Sequence, residues 1–159
     1  MTEQAERSII PTKMMKISTK GRYALRIMLD LAKNGHDTPV SLCDVAERQQ
    51  ITLKYMESIM SILLREGLVT STRGKSGGYL LARAPETYNI YEILTAAEGD
   101  LAPVKCLEGS VNDCPLRLNC ITLPLWEGLD AVIKNYLQQY TLNDLLQSGR
   151  NGLQACTRL

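Results

Sequence analysis

Leu68-Val69-Thr70-Ser71-Thr72-Arg73-Gly74-Lys75-Ser76-Gly77-Gly78-Tyr79-Leu80-Leu81 consists of two short β-prone runs around a glycine-rich turn, the pattern of a hairpin. Just upstream, Met56, Ile59, Met60 and Leu63 recur at three- and four-residue spacing. That spacing predicts a helix capped by Thr52, running to about Arg65 and stopped by Gly67. Before it, Gln50-Ile51 makes the turn after a shorter helix opened by Ser41, with Asp44 as capping partner and Leu42, Val45 and Ala46 on the buried side. A first helix over 17–33 places Ala24, Ile27, Met28 and Leu31 on one face, and Gly35 follows its last turn. Three helices and a hairpin, in that order, make a winged helix-turn-helix.

Downstream, Pro85 breaks the pattern, and Ile93, Leu94 and Ala97 mark a fourth helix at Ile90–Glu98. Gly99–Asn119 has little periodicity. Thr122 is expected to cap a long helix that tolerates Pro124 in its first turn. Leu125, Leu129, Val132, Ile133, Tyr136, Leu137 and Tyr140 form a stripe along it. From Leu123 to Tyr140 such a rod is about 27 Å long. A stripe that long, beyond so small a domain, predicts pairing with a second chain in preference to packing back on its own. Thr141 opens one more short turn. The fold class is therefore mainly α with a small β-hairpin, a winged helix-turn-helix domain plus a long C-terminal dimerisation helix. The expected division is a disordered extension (1–14), the winged domain (15–84), a linking helix and cysteine-bearing loop (85–121), the dimerisation helix with a short following helix (122–146), and a flexible tail (147–159).

A chain of 159 residues, 22% of them charged, suits one compact domain and an appendage. No run approaches the roughly 20 apolar residues of a membrane span. The polar start, MTEQAERSIIPTKMM, lacks the apolar centre of a secretory signal, so a cytoplasmic protein with no membrane partner is expected. The net charge of +1 hides an asymmetry: residues 13–83 carry +6 and residues 84–159 carry −4. A basic first half suits a polyanion.

Third-helix positions that face outward carry hydrogen-bonding side chains: Thr52, Lys54, Tyr55, Glu57 and Ser58. Thr52, Tyr55 and Ser58 can bond phosphates or base edges, and Glu57 can accept from a cytosine amino group. A solvated helix face would carry the same types. At the hairpin tip, Arg73 and Lys75 bracket Gly74, while Ser76-Gly77-Gly78 lets backbone approach another surface closely. Such a cationic loop suits a minor groove and its flanking phosphates. It is not a nucleotide-binding phosphate loop, because Val69 occupies the position where that motif needs its first glycine.

Cys106, Cys114 and Cys120 follow the spacing C-x7-C-x5-C, while Cys43 and Cys156 lie apart. Thiolates are soft ligands for iron–sulfur clusters or zinc. Three on one loop read as a metal site, with redox thiols or incidental cysteines as the alternatives. The chain has no CxxC, no G-x-S-x-G and one histidine, His36, which leaves little from which to assemble an enzyme site.

Two strings carry a resemblance. Met15-Lys16-Ile17-Ser18-Thr19-Lys20-Gly21-Arg22-Tyr23-Ala24-Leu25 resembles the opening of bacterial regulators typified by IscR, NsrR and CymR, the Rrf-two family. Arg73 through Leu81 resembles their wing, and the likeness extends to about Leu146, closest to the IscR-like members. It implies a non-enzymatic homodimer, with no small-molecule substrate, that reads a pseudo-palindromic operator in double-stranded DNA. Thr52, Lys54, Tyr55, Glu57 and Ser58 match the family's major-groove contacts and Arg73 its minor-groove arginine. Ser18, Lys20, Arg22 and Tyr23 fall where the first helix reaches the DNA backbone. Cys106, Cys114 and Cys120 match the ligands of a 2Fe–2S or 4Fe–4S cluster.

The chain departs from the resemblance at the fourth ligand. Leu123 replaces the histidine of IscR-like chains, and Arg22 replaces the aspartate of NsrR-like chains. Glu108 and Asp113 are nearby oxygen donors. A repressor controlled by its cluster is the expected function. The rival within the resemblance is a cluster-free, CymR-like regulator of cysteine metabolism acting through a partner protein. A zinc-stabilised loop, a thiol or metal enzyme, and a winged domain used only for protein contact are the remaining alternatives.

Overall fold

The computed structural model describes residues 17–74 and 76–150, so the expected extension at 1–14 and residues 151–159 of the expected tail lie outside the described residues. Six α-helices and one two-stranded hairpin make up the described chain: α1 (Thr19–Asn34), α2 (Leu42–Gln49), α3 (Leu53–Arg65), β1 (Val69–Thr72), β2 (Gly78–Leu81), α4 (Ile90–Glu98), α5 (Leu123–Gln138) and α6 (Leu142–Arg150). This is a winged helix followed by three further helices.

Local chemistry explains most boundaries. Ser18 caps α1, its hydroxyl accepting the N–H groups of Lys20 and Gly21, and Ser41 caps α2 by accepting from Asp44 N–H at 3.1 Å. Gln50 ends α2 in the left-handed conformation, φ 54°. Two expected caps are corrected. Thr52 and Thr122 occupy the positions before α3 and α5, but neither side chain makes a capping bond. Thr122 is in helical conformation and turns its hydroxyl to Cys120 instead. The long helix also stops at Gln138, two residues early, and α6 runs to Arg150, past the expected boundary at 146.

The hairpin pairs Val69 with Leu81 through Thr72 with Gly78, antiparallel. It gains a third neighbour that the sequence did not announce: Val40 N–H donates to Tyr79 O at 3.0 Å and Tyr79 N–H to Val40 O at 2.9 Å. That approach explains Gly78, where a Cβ would fall 2.4 Å from Val40 O.

Ala24, Ile27, Met28 and Leu31 of α1 interlock with Met56, Ile59, Met60 and Leu63 of α3, and with Ile93, Ala97 and Leu142 of later helices. Tyr88 is fully buried among them. Its hydroxyl donates to Leu68 O at 2.7 Å and accepts from Arg83 N–H at 3.0 Å, tying the end of the hairpin to α4. Burial pushes this phenol above its ordinary range. Asp30, almost fully buried, holds α1 to α2 by accepting from Arg48, Gln49 and Asn34. The start of α6 is pinned beside α4, with Leu142 N–H bonded to Tyr88 O and Ile90 N–H to Tyr140 O.

Candidate functional site

α3 buries Met56, Ile59, Met60 and Leu63 and thereby turns Thr52, Lys54, Glu57 and Ser58 to solvent. Tyr55 is half-buried, packed edge-on against Tyr23 of α1 with ring centroids 5.9 Å apart. Arg26 lies over the Tyr23 ring at 5.2 Å and donates to the side chain and carbonyl of Gln49. The outward face of α3 and the first turns of α1 are thus one joined surface. Arg22 is exposed, donating to Thr19 Oγ1 at 3.2 Å, and Lys20 is half-buried. Ser18 differs from its neighbours, because its hydroxyl is engaged internally by Glu98 at 2.7 Å.

On the wing, Arg73, Gly74 and Ser76 are exposed, while Gly77 and Gly78 are half-buried. Lys75 lies outside the described residues. The two glycines have an internal reason besides any external one: a Cβ on Gly77 would meet Thr72 O at 2.3 Å, and Gly78 passes Val40.

Cys106, Cys114 and Cys120 are free thiols, all half-exposed. Cys106 and Cys114 line a common pocket with Lys105, Glu108, Val111 and Asp113. Cys120 sits at the foot of α5, its Sγ 3.4 Å from Thr122 Oγ1, and that hydrogen bond holds its thiol below the ordinary value. Among the described residues, no three His, Cys, Asp or Glu side chains gather as a metal-holding group. The loop's own hydrogen bonds set this arrangement. Asp100 accepts Ala102 N–H at 2.7 Å and Gly109 N–H at 2.8 Å, and Asn112 accepts Cys114 N–H at 3.0 Å. Burial raises the Asp100 pKa, but those two N–H groups and the charge of Lys134 outweigh it and leave the carboxyl below its usual range.

Residues 17–148 match the Rrf2 family, described as iron-dependent transcriptional regulators. The chain belongs to the Rrf2 family. It is similar to the HTH-type transcriptional regulator IscR of Erwinia tasmaniensis, 39% identical over 134 residues, which cover 84% of this chain and 80% of that one. Among solved structures it is similar to T. potens IscR, with a TM-score of 0.68 and 35% identity, covering 88% of this chain and 92% of that one. It is also similar to CymR, the global cysteine regulator of B. subtilis, with a TM-score of 0.66 and 36% identity over 83% of this chain and 96% of that one.

Family membership makes the chain a winged-helix transcriptional regulator that binds DNA. The joined α1–α3 surface and the tip of the wing carry exposed polar and basic side chains, among them Arg22, Lys54 and Arg73. Among the described residues, no helix is long and apolar enough to cross a membrane. The donor set fits a thiophilic group, with three free, half-exposed thiols on one loop and two carboxylates beside the first two.

Besides the pairing of Val40 with the wing, two features of this Rrf2 chain escaped sequence reasoning. Glu98 bonds the start of α1 from 80 residues away, where no local pattern points to it. The α5 stripe, read as one surface, is split by the fold. Leu137 and Tyr140 pack on Ile90, Leu94 and Leu101 of their own chain, whereas Leu125, Leu129, Val132 and Tyr136 face solvent.

Proposed function

We propose that the chain is a homodimeric, cytoplasmic repressor that reads a pseudo-palindromic operator and whose occupancy is set by an iron–sulfur cluster, 2Fe–2S or 4Fe–4S, on Cys106, Cys114 and Cys120. The observation that supports it is three free thiols on one half-exposed loop between α4 and α5, in a family described as iron-dependent regulators. Bound there, such a cluster would supply a centre reactive toward redox change or nitric oxide. Glu108 and Asp113 line the pocket of Cys106 and Cys114, which makes them the oxygen donors at hand for a remaining position.

In this reading, Thr52, Lys54, Tyr55, Glu57 and Ser58 enter the major groove and Arg73, with the wing, the minor groove. Lys20, Arg22 and Tyr23 face the backbone. Leu125, Leu129, Val132 and Tyr136 are spaced by four, three and four residues, the repeat of a two-helix seam. Pairing along that seam sets the two heads about one helical turn, roughly 34 Å, apart on the duplex. A loop at the root of α5 that changes conformation alters how the heads are set, and both must engage together.

Purification without oxygen, followed by a visible spectrum and iron and acid-labile sulfide analysis, tests the reading. Wild-type protein is expected to be coloured and to hold both elements, and Cys114→Ala to lose them. A colourless, iron-free wild type refutes the cluster. That result selects the second reading, a cluster-free regulator of cysteine metabolism acting through a partner protein. The likeness to CymR, at 36% identity and a TM-score of 0.66, favours that reading.

A further inference from the structure

Two carboxylates the reading surface does not use stand two residues apart, between the head and the cysteine loop. Glu98 Oε1 accepts three donors from the start of α1: Ser18 N–H at 2.9 Å, Ser18 Oγ–H at 2.7 Å and Gly21 N–H at 3.0 Å. The fit is close, since a Cβ on Gly21 would lie 2.3 Å from that oxygen. After Gly99, turned at φ 91°, Asp100 bonds Ala102 and Gly109 and so closes the turn that carries Cys106. Leu101, buried against Ile90 and Leu94, anchors the segment to α4. One three-residue stretch therefore holds the DNA-facing end of α1 with one carboxylate and the cysteine-bearing turn with the other.

We propose that Glu98-Gly99-Asp100 is the joint through which the conformation of the cysteine loop and the seating of α1 on DNA are coupled, with Glu98 as positioning residue on the head side and Asp100 on the loop side. The inference rests on the reading of the loop as the sensor. If Glu98 moved alone, it would give up three hydrogen bonds to the start of α1 and take from Ser18 N–H its acceptor, a costly loss in a partly buried place. The start of α1 therefore follows Glu98. Tyr23 in that turn packs on Tyr55 of α3, which carries the displacement to the reading helix.

Coupling of this kind is reciprocal, so DNA must alter the loop as the loop alters DNA binding, and no metal is needed to observe it. The test uses the full chain, iron-free and reduced, and a duplex that the wild type selects from a random-sequence pool. Alkylation of Cys106 and Cys114 by iodoacetamide is timed by peptide mass, without duplex and with duplex at saturation for each protein. In the wild type the duplex is expected to change the rate about fivefold or more, the low end of ordinary coupling between sites. In Glu98→Gln and in Asp100→Asn, with melting confirming a folded chain, the change is expected to shrink below about twofold. A folded variant of either kind that keeps the full response overturns the joint and leaves the sensor reading intact. A wild type indifferent to the duplex overturns both. Where one variant fails to fold, the other decides.

Discussion

The winged head and the α5 limb draw on the same amino-acid types and meet opposite ends. In the head, apolar faces of α1, α3 and α4 close on one another until Ile27, Met28, Leu31 and Met56 have no exposure, and the buried Asp30 and Tyr88 find partners. In the limb, α5 contains no buried residue, and Leu125 and Val132 are each 64% exposed. Beside them Ile121 is 96% exposed. Apolar surface laid out at helical spacing and left open marks a contact still to be made. The head closes its apolar surface on itself, whereas the limb leaves much of its own open.

The contrast can be broken at the limb with the largest effect. Val132→Asp is expected to convert a dimer to monomers by sedimentation and to weaken operator binding roughly a hundredfold or more, the usual gain from tethering two modules. The head's melting should barely change, because Val132 is outside its core. A dimer that survives Val132→Asp removes α5 as the seam.

In the head the damage should fall on stability instead. Tyr88→Phe leaves Arg83 N–H without its partner and Leu68 O with Ala82 N–H as its remaining donor, and is expected to cost about 1–2 kcal/mol of unfolding free energy. Denaturant titration checks it, and a loss that also changed the oligomeric state would blur the division between head and limb. Arg73→Ala, on the exposed wing, is expected to leave melting unchanged and weaken operator binding by about 1–3 kcal/mol. Titration with the selected duplex reads this, and unchanged affinity takes Arg73 out of the interface.

The last effect is read from the pH dependence of stability. Burial raises the Asp30 pKa, but the hydrogen bonds and charge of Arg48, with Gln49 and Asn34, outweigh it, so the folded value lies below the unfolded one. Its contribution is therefore complete above the unfolded value of about 3.9 and is lost as pH falls through the lower folded value. Acid titration of Asp30→Asn should show less stability at neutral pH and a shallower decline below about pH 4 than wild type. An equal decline would assign the acid sensitivity to other carboxylates.

Much of the head was legible before any coordinate. The bounds of α4, the hairpin runs and the buried stripe of α3 follow from periodicity and stop signals, which are local and survive without neighbours. Caps were less legible. Ser41 and Asp44 form the expected bond, whereas the Thr122 hydroxyl turns to Cys120 because a local pattern says only that a cap is available. The cysteine spacing named a donor set. It did not show that Cys106 and Cys114 share a pocket from which Cys120 is absent.

The chain alone determined the order of elements, the basic head and the three thiols, since each depends on residue type and short-range spacing. Tertiary structure alone decided which side of α5 is covered, that Val40 joins the wing, and that Glu98 grips α1. These contacts join residues tens of positions apart, and hydrogen bonds and apolar burial of that range depend on where the backbone returns in space, which no local period encodes.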